Sequence, residues 1–214
     1  MAEIEKMFGF VKKLESDHGI HLNTIDLGGG FAATYTSEDH PIPLDEVCKT
    51  ILDTCKKENT KQGLSIQKIL IEPGRSIVAE AGSTIYTVGF TKQTPNKNYV
   101  FVDGGMVDNI RPALYQAKYN ADIANKMEQA KDCIYTVAGK ACESGDVLIE
   151  DIALPKCEPG DLLVTYTTGA YGYSMASHYN KLLTPGVVFV ANGKAREVIH
   201  RESYEHLIGL ENND

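Results

Sequence analysis

The texture of the chain changes near residue 82, and that change limits what it can fold into. Before it, helical and strand-like spacing alternate. Ile4, Met7, Phe8, Val11 and Leu14 recur at helical intervals over residues 3–16, and His18 and Gly19 end the pattern. Residues 22–27 (LNTIDL) then read as a short buried strand running into Gly28, Gly29 and Gly30. A second helix is predicted over 44–57, with Leu44, Val47, Cys48, Ile51, Leu52 and Cys55 on one face, before Gly63 breaks the pattern. Residues 66–71 (IQKILI) form the next strand-like run, and it exits through Glu72, Pro73, Gly74 and Arg75. Helix, strand, helix, strand with glycine-rich strand exits is α/β texture.

After residue 82 the chain reads as all-β. Strands are predicted over 83–92, 97–103, 134–138, 147–153, 161–167 and 187–192, separated by Gly, Pro, Asn and Asp turns. Two helical segments, 170–178 and 201–210, interrupt them. The expectation is an α/β segment over 1–82, then a β-sandwich or barrel-like domain over 83–214. The 214 residues fall short of the roughly 250 of a complete (β/α)₈ barrel.

Composition narrows the function. A net charge of −8 disfavours nucleic-acid and anionic-membrane partners, and no apolar run reaches the length of a membrane span. The amphipathic N-terminus does not read as a secretory signal. Five cysteines (Cys48, Cys55, Cys133, Cys142 and Cys157), odd in number and without C-x-x-C spacing, read as reduced thiols in a cytoplasm. Scattered histidines give no metal motif, so no metal site is expected.

Five segments carry candidate chemistry. Gly28-Gly29-Gly30 lets backbone N–H groups converge on an anion, although it lacks dinucleotide or Walker spacing and, taken alone, reads more readily as a flexible strand-to-helix loop. In Glu72-Pro73-Gly74-Arg75 the proline stiffens the turn, the glycine permits close approach, and the arginine can reach a phosphate or carboxylate. If the two strands are parallel neighbours, both loops leave the same sheet end, where α/β folds bind ligands. Residues 99–115 (YVFVDGGMVDNIRPALY) place Arg111 and Tyr115 on an irregular segment, with Pro112 keeping 109–111 out of a helix. Cys142 and Glu143 share a turn. A thiol that donates a proton need not be ionised beforehand, so an adjacent carboxylate does not disqualify Cys142. Residues 169–176 combine small residues with Tyr171 and Tyr173, which suits a flat ligand or a packed helix.

Taken in order, LGGGF at 27–31, EPGRS at 72–76, VDGGMVDNIRPALY at 102–115, CESGD at 142–146 and GAYGYSMAS at 169–177 resemble one family. It is the alanine-racemase-like, pyridoxal-phosphate-dependent ornithine/diaminopimelate/arginine decarboxylases. CESGD and RPALY are most similar to the diaminopimelate branch. The resemblance spans about residues 20–200 and implies the last βα units of a (β/α)₈ barrel followed by the C-terminal β domain.

By that resemblance the function is decarboxylation of meso-2,6-diaminopimelate to L-lysine, with pyridoxal 5′-phosphate as cofactor, in a cytoplasmic homodimer with the active site at its interface. Gly30, with Pro73, Gly74 and Arg75, would hold the cofactor phosphate, and Glu72 would bond the pyridine nitrogen. Tyr171 would touch cofactor and substrate. Arg75, Arg111 and Tyr115 would contact the substrate, the last two at its distal carboxylate, and Glu143 would pair with the distal ammonium. Cys142 would donate the proton that replaces CO₂, reaching with Glu143 into the partner's site. A substrate such as ornithine would leave Arg111 unpaired.

The sequence departs from the family in one large respect. No block carrying the Schiff-base lysine is present, and Lys68 and Lys140 sit in other contexts. The chain is therefore expected to be a C-terminal half, inactive alone. Smaller departures are Gly139-Lys140 and His178. Rival readings are a relative acting on ornithine, arginine or carboxynorspermidine, one chain of a split enzyme, and a non-catalytic relative that keeps the fold.

Overall fold

The computed structural model describes residues 2–211. Their backbone falls into two compact units. One comprises the described residues up to Thr34 together with Glu38–Ile77, and the other Tyr35–Ser37 together with the described residues from Val78 on.

The first unit is α/β. Helix α1 (Ala2–His18) buries Ile4, Phe8 and Val11, the positions that helical spacing puts on one face. Strand β1 (Thr24–Asp26) buries Ile25, helix α2 (Leu44–Gln62) contributes Cys55, and Ile66 completes the core before strand β2 (Lys68–Leu70). Helix α2 outruns its predicted end and stops at Gly63, whose left-handed backbone (φ 62°) lets Leu64 N–H cap the Asn59 carbonyl. The Asn59 side chain both donates to and accepts from the Ile66 backbone (3.1 and 3.0 Å), which fixes where the next strand begins. Strands β1 and β2 are parallel, with Ile25 opposite Ile69. Each is shorter than predicted, because with one partner apiece the regular ladder lasts only three residues.

A one-turn helix, α3 (Gly74–Val78), leads on to the second unit. There β3 (Thr84–Gln93), β4 (Asn98–Val102), β5 (Ala121–Ile123), β6 (Cys133–Ala138), β7 (Val147–Leu154) and β8 (Leu162–Thr165) form one mixed sheet of order β5-β8-β3-β4-β6-β7. All its pairings are antiparallel except β4–β6. The edge strands β5 and β7 meet, which curls the sheet toward a barrel-like form. Strand β3 serves two neighbours by shifting register between Val88 and Phe90, with Gly89 at the irregularity. Alternating residues (Tyr86 and Val88, Val100 and Val102, Tyr135 and Val137) bury one face with Leu148, Leu154 and Leu163. A separate hairpin pairs β9 (Val187–Ala191) with β10 (Lys194–Ile199), and α5 (Tyr204–Ile208) follows. Among the described residues no helix is long and apolar enough to cross a membrane.

Three expectations need correction. Strands β5 and β10 were not expected. Residues 170–178 hold only a single 3₁₀ turn, Tyr173–Met175, because Tyr171 is left-handed (φ 61°) and Gly172 lies against the Thr168 carbonyl. Arg111–Tyr115 is a one-turn helix, α4, with Pro112 in its first turn, where the missing N–H costs nothing.

Candidate active-site elements

In the first unit the two glycine-bearing loops are neighbours, as parallel β1 and β2 require. The ladder continues past the strands through Leu27 N–H to Leu70 O (3.0 Å) and Glu72 N–H to Gly28 O (2.8 Å). Asp26 Oδ1 accepts from Gly28 N–H at 2.9 Å and folds the loop back. Gly28 and Gly30 occupy left-handed backbone (φ 72° and 90°), which a side chain would strain. A Cβ on Gly29 would lie 2.6 Å from the Glu72 carbonyl oxygen. The N–H groups of Gly29 and Gly30 have no protein partner among the described residues. Arg75 is tied by Nε–H to the Phe31 carbonyl (3.2 Å), which leaves its terminal nitrogens without protein partners there. Free N–H donors, a cation and the exposed Glu72 carboxylate fit a group carrying a phosphate and a basic ring nitrogen. The Gly74 N–H is taken by Glu72 O (2.9 Å) within the turn.

In the second unit the parallel pair β4–β6 sets the geometry. Its strands end side by side, β4 leading through Asp103-Gly104-Gly105 to Arg111, and β6 through Gly139-Lys140-Ala141 to Cys142 and Glu143. Arg111 is buried, 7% exposed. Its Nη1 donates to Tyr119 Oη at 2.6 Å. The guanidinium lies 4.7, 5.7 and 5.9 Å from the ring centres of Tyr35, Tyr119 and Tyr171. Tyr35 and Tyr119 meet edge to face at 5.3 Å. Burial raises the Tyr119 phenol pKa even though Arg111 opposes it, so the hydroxyl stays neutral. No carboxylate pairs with Arg111 among the described residues, and the Asn109 side-chain oxygen nearby in sequence is buried without a partner. Tyr115, expected as the phenol beside Arg111, is 61% exposed, and its hydroxyl has no hydrogen-bond partner among the described residues. The phenol that accepts from Arg111 is that of Tyr119, which lies beyond the left-handed Gln116 that ends α4.

Cys142 and Glu143 are both exposed. Cys142 N–H donates to Asn180 Oδ1 (2.6 Å), and Tyr179 Oη donates weakly to Glu143 Oε2 (3.5 Å). Asn180 and Lys181 are both left-handed (φ 56° and 58°). Gly145 N–H, then the Ser144 hydroxyl, lower the Glu143 pKa, so it is a carboxylate at neutral pH. A concavity of about 470 Å³, lined by Phe90, Phe101, Asp103 and Lys140 among others, contains none of the candidate residues. Sequence reasoning missed Tyr35, Tyr119 and Asn180, and no local motif marks any of them.

Residues 22–169 match the family model described as the pyridoxal-dependent decarboxylase C-terminal sheet domain, and the chain belongs to that family of decarboxylases. It is 49% identical over 208 residues to the diaminopimelate decarboxylase of Bacillus subtilis, covering 97% of this chain and 47% of that one. Among solved structures, a diaminopimelate decarboxylase from M. jannaschii superposes with a TM-score of 0.89 at 32% identity, covering 99% of this chain and 48% of that one. The Helicobacter pylori diaminopimelate decarboxylase complexed with L-lysine gives 0.80 at 38% identity, covering 97% and 49%. The chain thus spans about half the length of the relatives it matches.

Proposed function

We propose that the chain serves the decarboxylation of meso-2,6-diaminopimelate to L-lysine and CO₂ in a pyridoxal-phosphate-dependent enzyme. Arg111 carries this reading. A buried guanidinium walled by three tyrosine rings, with no carboxylate partner among the described residues, suits the distal carboxylate of an amino-acid substrate. The names of the relatives and the L-lysine bound to one of them agree with it.

Bound pyridoxal phosphate supplies the electron sink for the pair released as CO₂ departs. Gly30 and Arg75 would hold its phosphate, with Pro73 and Gly74 shaping the turn, and Glu72 would hydrogen-bond its ring nitrogen. Arg111 and Tyr115 would contact the distal carboxylate, Tyr115 from the exposed end of α4, and Glu143 would attract the distal ammonium. Tyr171, left-handed and with its ring centre 5.9 Å from the Arg111 guanidinium, would touch cofactor and substrate. The Cys142 Sγ–H gives its proton to the carbon that lost the carboxylate, and solvent then reprotonates the thiolate. A cytoplasmic homodimer, with Cys142 and Glu143 serving the partner's site, belongs to the same proposal. The exposure of both residues and the five free thiols support it.

The test is CO₂ release by the full-length protein from meso-diaminopimelate, ornithine, arginine and carboxynorspermidine. Preference for diaminopimelate is expected, and preference for any other would refute the assignment. This chain alone with cofactor is expected to release none, because no segment of it matches a Schiff-base lysine block.

A further inference from the structure

We infer that Asp146 is a positioning residue that holds the Cys142-bearing loop in place, an inference that rests on the decarboxylase reading of Cys142. Asp146 is 3% exposed and has no cationic partner among the described residues. Backbone N–H groups from the ends of two different strands satisfy it instead. Met106 N–H, on the β4 side, donates to Oδ1 at 2.6 Å. Ala141 N–H, on the β6 side and next to Cys142, donates to Oδ2 at 2.7 Å. The backbone repeats the tie: Gly139 N–H reaches Asp146 O (2.9 Å), Asp146 N–H reaches Glu143 O (3.1 Å), and Lys140 N–H reaches Gly104 O (3.0 Å).

The sequence makes room for this carboxylate. A Cβ on Gly105 would come within 2.5 Å of Asp146 Oδ1, and one on Gly139 would meet the same carboxylate. Both glycines flank it because nothing larger fits. The consequence is chemical. Cys142 is exposed, and its place depends on its own N–H bond to Asn180, the turn bond from Glu143 N–H to Ala141 O (2.8 Å) and this anchor. An asparagine at 146 keeps the shape but turns an NH₂ group toward one backbone N–H, so one of the two ties is lost.

The test is a double-mutant cycle on kcat in the full-length holoenzyme at saturating diaminopimelate. Cys142→Ala is expected to lower kcat by about 10²–10⁴-fold, the range for a lost general acid. Asp146→Asn is expected to lower it by about 10–10²-fold, the scale of a misplaced group. In the double variant the loss is expected to equal that of Cys142→Ala alone, because Asp146 acts only through the thiol. A merely structural role would multiply the losses, and multiplied losses or an unchanged kcat in Asp146→Asn would overturn the inference. An unchanged kcat in Cys142→Ala would instead overturn the proton-donor reading beneath it. Should Asp146→Asn yield no folded protein, Asp146→Ser enters the same cycle.

Discussion

Replacing Asp108 with asparagine is expected to stabilise the protein at neutral pH and to leave it unchanged in acid. Asp108 lies half-buried beside Gly104 and Gly105. Burial pushes its carboxyl from 3.8 up to about 6, with Asp103 and Asp146 adding to the rise and Gly105 N–H and Lys140 opposing it. Between about pH 4 and pH 6 the folded chain therefore holds a proton that the unfolded chain has released. The stability this group contributes is complete below about pH 4 and lost as pH rises through about 6. A change of that size corresponds to about 3 kcal/mol, reduced to about 2 kcal/mol by screening at its exposed edge. Asparagine keeps an oxygen for Gly105 N–H and never ionises. Denaturant titrations of the full-length wild type and Asp108→Asn, from pH 4 to pH 8, are expected to show a gap in unfolding free energy. That gap opens between pH 4 and 6 and then stays level. A pH-independent gap, or one that widens toward acid, would refute the reasoning.

Gly29→Ala places a methyl against the Glu72 carbonyl and is expected to cost about 1–3 kcal/mol while weakening retention of pyridoxal phosphate, read by the cofactor's visible absorbance. Retention equal to wild type would show that the two loops do not form the cradle. Asp161, 5% exposed, is pushed up by burial but accepts from Lys126, Asn125 and the Glu158 N–H, which together lower its pKa; Asp161→Ala is expected to cost about 1–3 kcal/mol by leaving the Asn125 amide and the Glu158 N–H without their acceptor, checked by denaturant unfolding. Thiol alkylation at pH 7.5 followed by peptide mass spectrometry is expected to mark exposed Cys142 first and Cys157 last, since burial, with Asp161 adding to it, pushes the Cys157 thiol up to about 12.

What the sequence disclosed depended on how local each signal is. Helices α1 and α2 and the glycine exits after β1 and β2 were legible because spacing and turn chemistry suffice to specify them. Strand β10 carries a local mark, the Asn192-Gly193 pair in left-handed backbone (φ 52° and 71°) that closes its hairpin. Strand β5 had none, being three residues whose partner β8 lies far along the chain. Residues 170–178 read as helical by composition, but the close approach of Gly172 to Thr168 and the left-handed Tyr171 decide otherwise. The same limit governs the site. Arg111 could be singled out beside its proline, whereas its aromatic surround joins Tyr35, Tyr119 and Tyr171 from three separate segments. Only the fold brings them together.

The most direct measurement is kcat/KM of the full-length protein and its Arg111→Ala variant on meso-diaminopimelate and on ornithine. Losing a buried charge-assisted contact to the distal carboxylate corresponds to about 10²–10³-fold. Arg111→Ala is expected to lose that much on diaminopimelate and little on ornithine, which has no distal carboxylate, so the preference collapses. Undiminished selectivity for diaminopimelate in the variant would contradict the assignment of Arg111 and the function built on it.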